Sequence, residues 1–67
     1  MTLSYFPIRE ESFIYARERA KEESFEHPDH FIYLFKSNAG GYVIDHIGIK
    51  HDDERILMTF KNGHKTL

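Results

Sequence analysis

The residues best suited to chemistry in this sequence are its five histidines, several of which lie next to carboxylates. His27 and His30 flank Pro28 and Asp29, so two imidazoles and a carboxylate are available to a divalent ion. Two ligands three positions apart need further ligands from elsewhere in the fold, and the proline restricts how they converge. A polar corner after a helix explains the same residues, because the helix dipole favours a histidine near a helix C-terminus. We therefore predict no metal site and no cofactor.

A second candidate is His46, which follows Asp45 and is expected to lie opposite Tyr33 across two paired strands. A histidine within reach of a tyrosine hydroxyl can act as a general acid or base. However, no nucleophile or orienting carboxylate is expected on the same face, and a structural hydrogen bond accounts for such a pair. The acidic run at positions 51–54 lacks the spaced oxygen ligands and the glycine of a calcium loop. The sequence thus predicts a protein that is not an enzyme.

The elements that position these residues divide at Pro28. Residues 8–26 are predicted to form one amphipathic helix, because Pro7 suits a first helical turn and Pro28 ends the helix. At helical spacing, small residues form a narrow stripe that lets the helix lie close to a sheet. The stripe consists of Phe13, Ala16, Ala20 and Ser24.

The remaining residues alternate as β-strands do and predict an antiparallel sheet of three or four strands. The glycines of Asn38–Gly41 and the Asn62–Gly63 pair are hairpin signals. The fold class is therefore α+β, with one N-terminal helix packed on the sheet in the order α-β-β-β, as a single domain over residues 1–67. The predicted strands are 31–37, 42–49 and 56–61, with a short strand at 64–67 and an edge strand at 2–6 as additions.

Alternation predicts two unlike faces for this sheet. One is almost wholly aliphatic and should carry the helix: Ile32, Leu34, Val43, Ile47, Ile49, Ile56, Met58 and Phe60. The other is rich in aromatic residues and is the predicted partner-binding site: Phe31, Tyr33, Phe35, Tyr42, Ile44, His46 and Leu57, with Thr59 beside them. A one-residue slip before the third strand would exchange the two faces of that strand.

Composition limits the partners of this face. Lys and Arg total 9 against 11 for Asp and Glu, so a basic excess does not drive binding to nucleic acid or to a membrane surface. There is no cysteine, which excludes disulfides and thiolate metal sites. No apolar run approaches the roughly 20 residues that span a bilayer, and the first twelve residues do not resemble a secretion signal. We expect a cytoplasmic protein that does not bind membranes.

The small size of the chain suggests why the aromatic face would be used for association. A chain of 67 residues buries only about 60% of its unfolded surface, and association is a common remedy for so small a core. One helix cannot cover both faces of a sheet, and an aromatic patch of this extent is typical of an interface. We predict a regulatory or interaction module that forms a homodimer through this face. A heterologous protein partner and single-stranded nucleic acid stacked on the rings are the alternatives.

Overall fold

The computed structural model describes residues 7–48 and 54–66. Within these residues one helix packs on a five-stranded antiparallel sheet, which confirms the predicted α+β class although the sheet has more strands than expected. The elements are β1 (Ile8–Glu10), α1 (Phe13–Glu26), β2 (Ile32–Ser37), β3 (Tyr42–Asp45), β4 (Glu54–Lys61) and β5 (His64–Lys65). The strand order β1-β3-β2-β4-β5 places β2 at the centre. In this part of the chain, no helix is long and apolar enough to cross a membrane.

The helix begins five residues later than predicted. Ser12 has extended backbone angles, and its side chain accepts a 3.5 Å hydrogen bond from the amide of Tyr15, so it is the N-cap. Ile8–Glu10 instead pairs antiparallel with β3 as an edge strand, and Pro7, which lacks an amide donor, precedes it. The predicted end is confirmed, since α1 stops at Glu26 before the proline. The predicted strand at 2–6 lies outside the described residues.

The core lies between α1 and one face of the sheet. Ala16 and Ala20 are fully buried, and with no side chain beyond Cβ they let the helix approach the strands closely. Ser24 is buried on the same stripe, as predicted. Beneath the helix lie the buried side chains Ile32, Leu34, Ile44 and Phe60, with Ile8, Phe13, Tyr42, Leu57 and Met58 packed around them.

The turn between β4 and β5 is the predicted Asn62–Gly63 hairpin. Both residues have positive φ, 52° and 80°, as a two-residue hairpin of this type requires. The turn also docks on the helix, because the Gly63 amide donates a 2.8 Å hydrogen bond to Ser24 Oγ in a buried position. A Cβ at Gly63 would overlap the ring of Phe25. The turn therefore fixes β5 against the end of α1.

The register between β2 and β3 differs from the predicted one by one residue. Tyr33 pairs with Asp45, and Leu34 pairs with Ile44, so the expected pairing of Tyr33 with His46 is wrong. Ile44 consequently faces the helix, whereas Val43 lies on the face turned away from α1, which we call the reverse face. β3 ends at Asp45 rather than at position 49, because its carboxylate accepts hydrogen bonds from the next two backbone amides. Ile49 lies outside the described residues.

A β-bulge changes the facing of β4. Leu34 pairs with Met58 while the next residue, Phe35, pairs with Ile56, so Leu57 is the extra residue of the bulge. Met58 and Phe60 lie on the helix side as predicted, but Ile56 is shifted to the reverse face. Leu57, which was predicted on the reverse face, packs against the core instead.

Candidate functional site

Three aromatic rings lie in a row along the central strand on the reverse face, since alternate residues of a strand share one face. The ring centroids of Phe31 and Tyr33 are 6.5 Å apart, and their planes are inclined by 38°. Those of Tyr33 and Phe35 are 6.2 Å apart with an angle of 26°, which is a stacked arrangement. Tyr33 and Phe35 belong to β2, whose two neighbours are β3 and β4, so their backbone is fixed on both sides, and Phe31 directly precedes this strand.

The aromatic row is buried at one end and exposed at the other. Phe35 is only 2% exposed and its neighbour Val43 only 5%, so the prediction that this whole face lies uncovered in a single chain is wrong. Phe31, at the other end, is 46% exposed. Ile56 pairs with Phe35 across the sheet and is 43% exposed. Around β2 and β4 the accessible apolar surface of this face is therefore concentrated at Phe31 and Ile56, with the half-buried Tyr33 between them.

Polar groups border the aromatic row. In the sheet register, Tyr33 lies between Asp45 on β3 and Thr59 on β4. The Lys61 ammonium lies 5.7 Å from the centroid of the Phe31 ring, close enough for a cation–π contact. The same ammonium donates a 2.5 Å hydrogen bond to the carbonyl of Pro28, which holds the lysine beside the exposed ring. The apolar surface therefore has a polar rim, as protein interfaces do.

The structure brings together only some of the residues predicted to bind a partner. Phe31, Tyr33 and Phe35 share the reverse face, and their role in binding stays a prediction. The facing of three others was wrong, because the register of β3 and the bulge in β4 turn them toward the helix: Tyr42, Ile44 and Leu57. His46 follows the end of β3, and its ring meets the edge of the His30 ring with centroids 5.6 Å apart.

The segment after β3 approaches the reverse face. A Cβ added to Gly48 would lie 2.8 Å from Cζ of the Tyr33 ring, so the backbone of this glycine lies directly against the ring. Just before it, His46 Nδ1 lies 3.2 Å from Asp45 Oδ1. This contact and the ring contact with His30 account for the position of the imidazole, which was expected beside the tyrosine.

In the described part of the chain, His27, Asp29 and His30 do not form a metal-ligating group with one another. Among the described residues, the group whose potential metal-ligating atoms come together, within 4.8 Å of one another, is Glu23, Glu26 and His27. Glu23 is buried, and desolvation together with the negative charge of Glu26 raises the pKa of its carboxyl above 4.5. Arg19 Nε lies 3.4 Å from Glu23 Oε2, so an arginine already supplies countercharge there.

Ile56 and Lys61 belong to the exposed part of the reverse face, although the sequence analysis did not place them there. Lys61 lies beside Phe31 because the hairpin returns immediately after it. For Ile56 a signal existed in the sequence. Ile56, Leu57 and Met58 are three apolar residues in succession, which strict alternation cannot accommodate and a bulge can.

Comparison with known proteins adds no relative: no protein-family model, no curated protein and no solved structure matches the chain. The function must therefore be argued from the residues of this chain.

Proposed function

We propose that this chain is a small, non-enzymatic interaction module that forms a two-fold homodimer through the reverse face of its sheet. The observation that supports this is the exposure of Phe31 and Ile56, two large apolar side chains on either side of Tyr33. Exposed apolar side chains that share one face of a sheet are typical of protein–protein contact sites, and aromatic residues are enriched there. A regulatory role in the cytoplasm is part of the proposal.

A second copy of the chain is a suitable partner because the surface is self-complementary. A two-fold axis that lies in the plane between the two sheets and runs perpendicular to β2 would bring Phe31 of one copy close to the partner's Ile56, and symmetry would repeat the contact. An axis parallel to β2 would instead oppose the two Phe31 rings and the two Lys61 ammonium groups beside them. Like charges brought together cost free energy, so the antiparallel arrangement is favoured.

The area available sets the strength of this dimer. The folded chain exposes 4613 Å², close to the roughly 4,500 Å² expected of a compact monomer of this mass. A standard interface buries about 800 Å² per partner, roughly one sixth of that surface. Since Phe35 and Val43 are already buried, the apolar part of the contact is limited, and we expect a dissociation constant of about 10 μM or weaker.

Sedimentation of the full chain between about 5 μM and 1 mM tests the proposal. The wild type should pass from 8.0 kDa toward twice that mass as concentration rises. Ile56→Glu should remain monomeric, because it would bury a charge in the contact. Ile14→Glu is the matched control, since Ile14 is also exposed but lies on α1. It should dimerise like the wild type.

Two results would overturn the homodimer. One is a wild-type mass of 8.0 kDa at every concentration, and the other is equal loss of the dimer in the two glutamate variants. Phe31→Ser removes the ring without adding charge and provides a second check, with circular dichroism confirming that each variant is folded. If the monomeric wild type instead bound a labelled single-stranded oligonucleotide and Phe31→Ser abolished binding, the rings would be a base-stacking platform.

A further inference from the structure

A groove of about 350 Å³ lies between α1 and the edge strand β5. Arg17 and Lys21 line its helix wall, one helical turn apart, while His64 and Lys65 line its strand wall. The buried ring of Phe60 contributes to the lining between the two walls. Lys65 pairs with Phe60 in the sheet register and is therefore on the helix side of the sheet. The groove and the reverse face are on opposite sides of the sheet.

The charge of the groove is opposite to that of the whole chain. Arg17, Lys21 and Lys65 are exposed cations, and Glu18 is the carboxylate among the described lining residues. Arg17 Nε is 3.8 Å from Glu18 Oε2, a long and exposed ion pair that leaves most of the guanidinium donors available. The groove thus has a formal charge of +2 in a chain of −2, which leaves −4 on the remaining residues.

The two walls are held at a fixed separation. Ser24 Oγ donates a 2.7 Å hydrogen bond to the carbonyl of Lys21 and accepts the 2.8 Å bond from the Gly63 amide. One buried hydroxyl therefore connects the backbone of a cationic helix residue to the turn that carries His64 and Lys65. The backbone positions of Lys21 and of the turn before Lys65 are therefore defined before any ligand arrives.

The surroundings of the groove favour a compact anion over a long one. Charges are screened over about 8–10 Å at physiological salt, whereas the molecule measures 29 × 24 × 20 Å. A ligand that fits between the walls responds mainly to the local +2. A long polyanion would leave the groove and meet the acidic remainder of the surface, such as the exposed Glu22 and Glu26 of α1.

We propose that this groove binds a compact ligand carrying two or three linked phosphates. Arg17 has planar paired donors that suit two phosphate oxygens, and Lys21 and Lys65 approach from opposite walls as point charges. The phosphates could belong to free inorganic polyphosphate or to the tail of a nucleotide, which present the same group to these residues.

Titration calorimetry of the full chain at 50 mM NaCl, with inorganic tripolyphosphate as the probe, tests the site. Lys65→Glu should weaken binding about tenfold, because it replaces an attraction by a repulsion. Arg9→Glu makes the same change of charge on β1, at the opposite edge of the sheet, and should stay within about twofold of the wild type. Lys21→Glu is the second groove variant, and raising NaCl to 200 mM should weaken wild-type binding.

The outcomes separate the sources of the phosphate. Equal affinity for tripolyphosphate and adenosine triphosphate would show recognition of the phosphates alone, and tighter binding of the nucleotide would show that its base or sugar also contacts the groove. Equal weakening in Lys65→Glu and Arg9→Glu, or no heat with millimolar tripolyphosphate, would overturn the proposal. Tighter binding of a 20-nucleotide single strand than of tripolyphosphate would also overturn it, in favour of a nucleic-acid surface.

Discussion

Replacing Ser24 by alanine should lower stability far more than the loss of one oxygen atom suggests. The side chain is fully buried and connects α1 to the β4–β5 turn, because its hydroxyl accepts the Gly63 amide and donates to the Lys21 carbonyl. In Ser24→Ala the Gly63 amide would remain buried without its acceptor. A buried donor without a partner costs more than a hydrogen bond contributes, since it has also lost its hydration.

The size of the effect follows from the cost of the unsatisfied amide and the helix propensity of alanine. An unsatisfied buried amide costs about 1–3 kcal/mol. Alanine has a higher helix propensity than serine and returns a few tenths of a kcal/mol, so the net loss should be about 1.5 kcal/mol. A folded chain of 67 residues is expected to have an unfolding free energy of only about 3–10 kcal/mol. At about 4–8 °C per kcal/mol, Tm should fall by roughly 6–12 °C.

Urea denaturation and amide hydrogen exchange together measure this effect. Exchange of the Gly63 amide should accelerate in Ser24→Ala by more than the lower global stability explains. The Thr66 amide, which donates a 2.9 Å hydrogen bond to the Thr59 carbonyl, should accelerate only by the amount that global stability explains. Glu22→Ala is the control for helix propensity at an exposed position and should change stability by less than about 0.5 kcal/mol. Wild-type stability and an unchanged Gly63 exchange rate in Ser24→Ala would refute the reasoning.

Three further changes test other parts of the fold. Burial and Glu26 raise the pKa of Glu23, so the carboxyl stabilises the fold most when protonated, below pH 4.5, and that contribution is lost as pH rises through the raised pKa. Glu23→Gln should therefore reduce the fall in stability between pH 4 and pH 7 in urea titrations, and the exposed Glu22→Gln should not. Gly63→Ala should cost about 1–3 kcal/mol by chemical denaturation, because φ is 80° and the new Cβ meets the Phe25 ring. Leu34→Ala should cost about 2–5 kcal/mol, since Leu34 is fully buried on the central strand, and a loss below 1 kcal/mol would contradict that position.

The features predicted correctly from the sequence are local ones. Pro28 ends α1, the alanine stripe faces the sheet, and Asn62–Gly63 forms the last hairpin, because each depends on a few neighbouring residues. The start of the helix was wrong for a reason that is not local. Ile8–Glu10 has no feature that excludes a helix, and it becomes a strand because β3 offers it an edge.

The candidate site was harder to predict because it depends on register. In the expected register Tyr42, Ile44 and Leu57 would join the aromatic row, whereas the observed pairing uses all three in the core. Strand alternation defines two faces but does not say how neighbouring strands are aligned, and a slip of one residue reverses a strand. The facing of β2 was predicted correctly, because the pattern of this strand alone determines which of its residues lie together. The facing of β3 was predicted wrongly, because it depends on how this strand is aligned with its partner.

The two proposed surfaces make a joint experiment possible. A dimer that uses the reverse face leaves α1 and β5 accessible, so saturating tripolyphosphate should leave the dimer dissociation constant unchanged within about twofold. Association through the exposed Ile14 and Tyr15 of α1 would instead bring a second copy toward Arg17 and the groove, and tripolyphosphate would then compete with dimerisation. Linkage requires any such effect to be reciprocal. Sedimentation with and without the ligand therefore distinguishes the two faces without a mutation, and a ligand-dependent dimer would contradict the reverse-face interface.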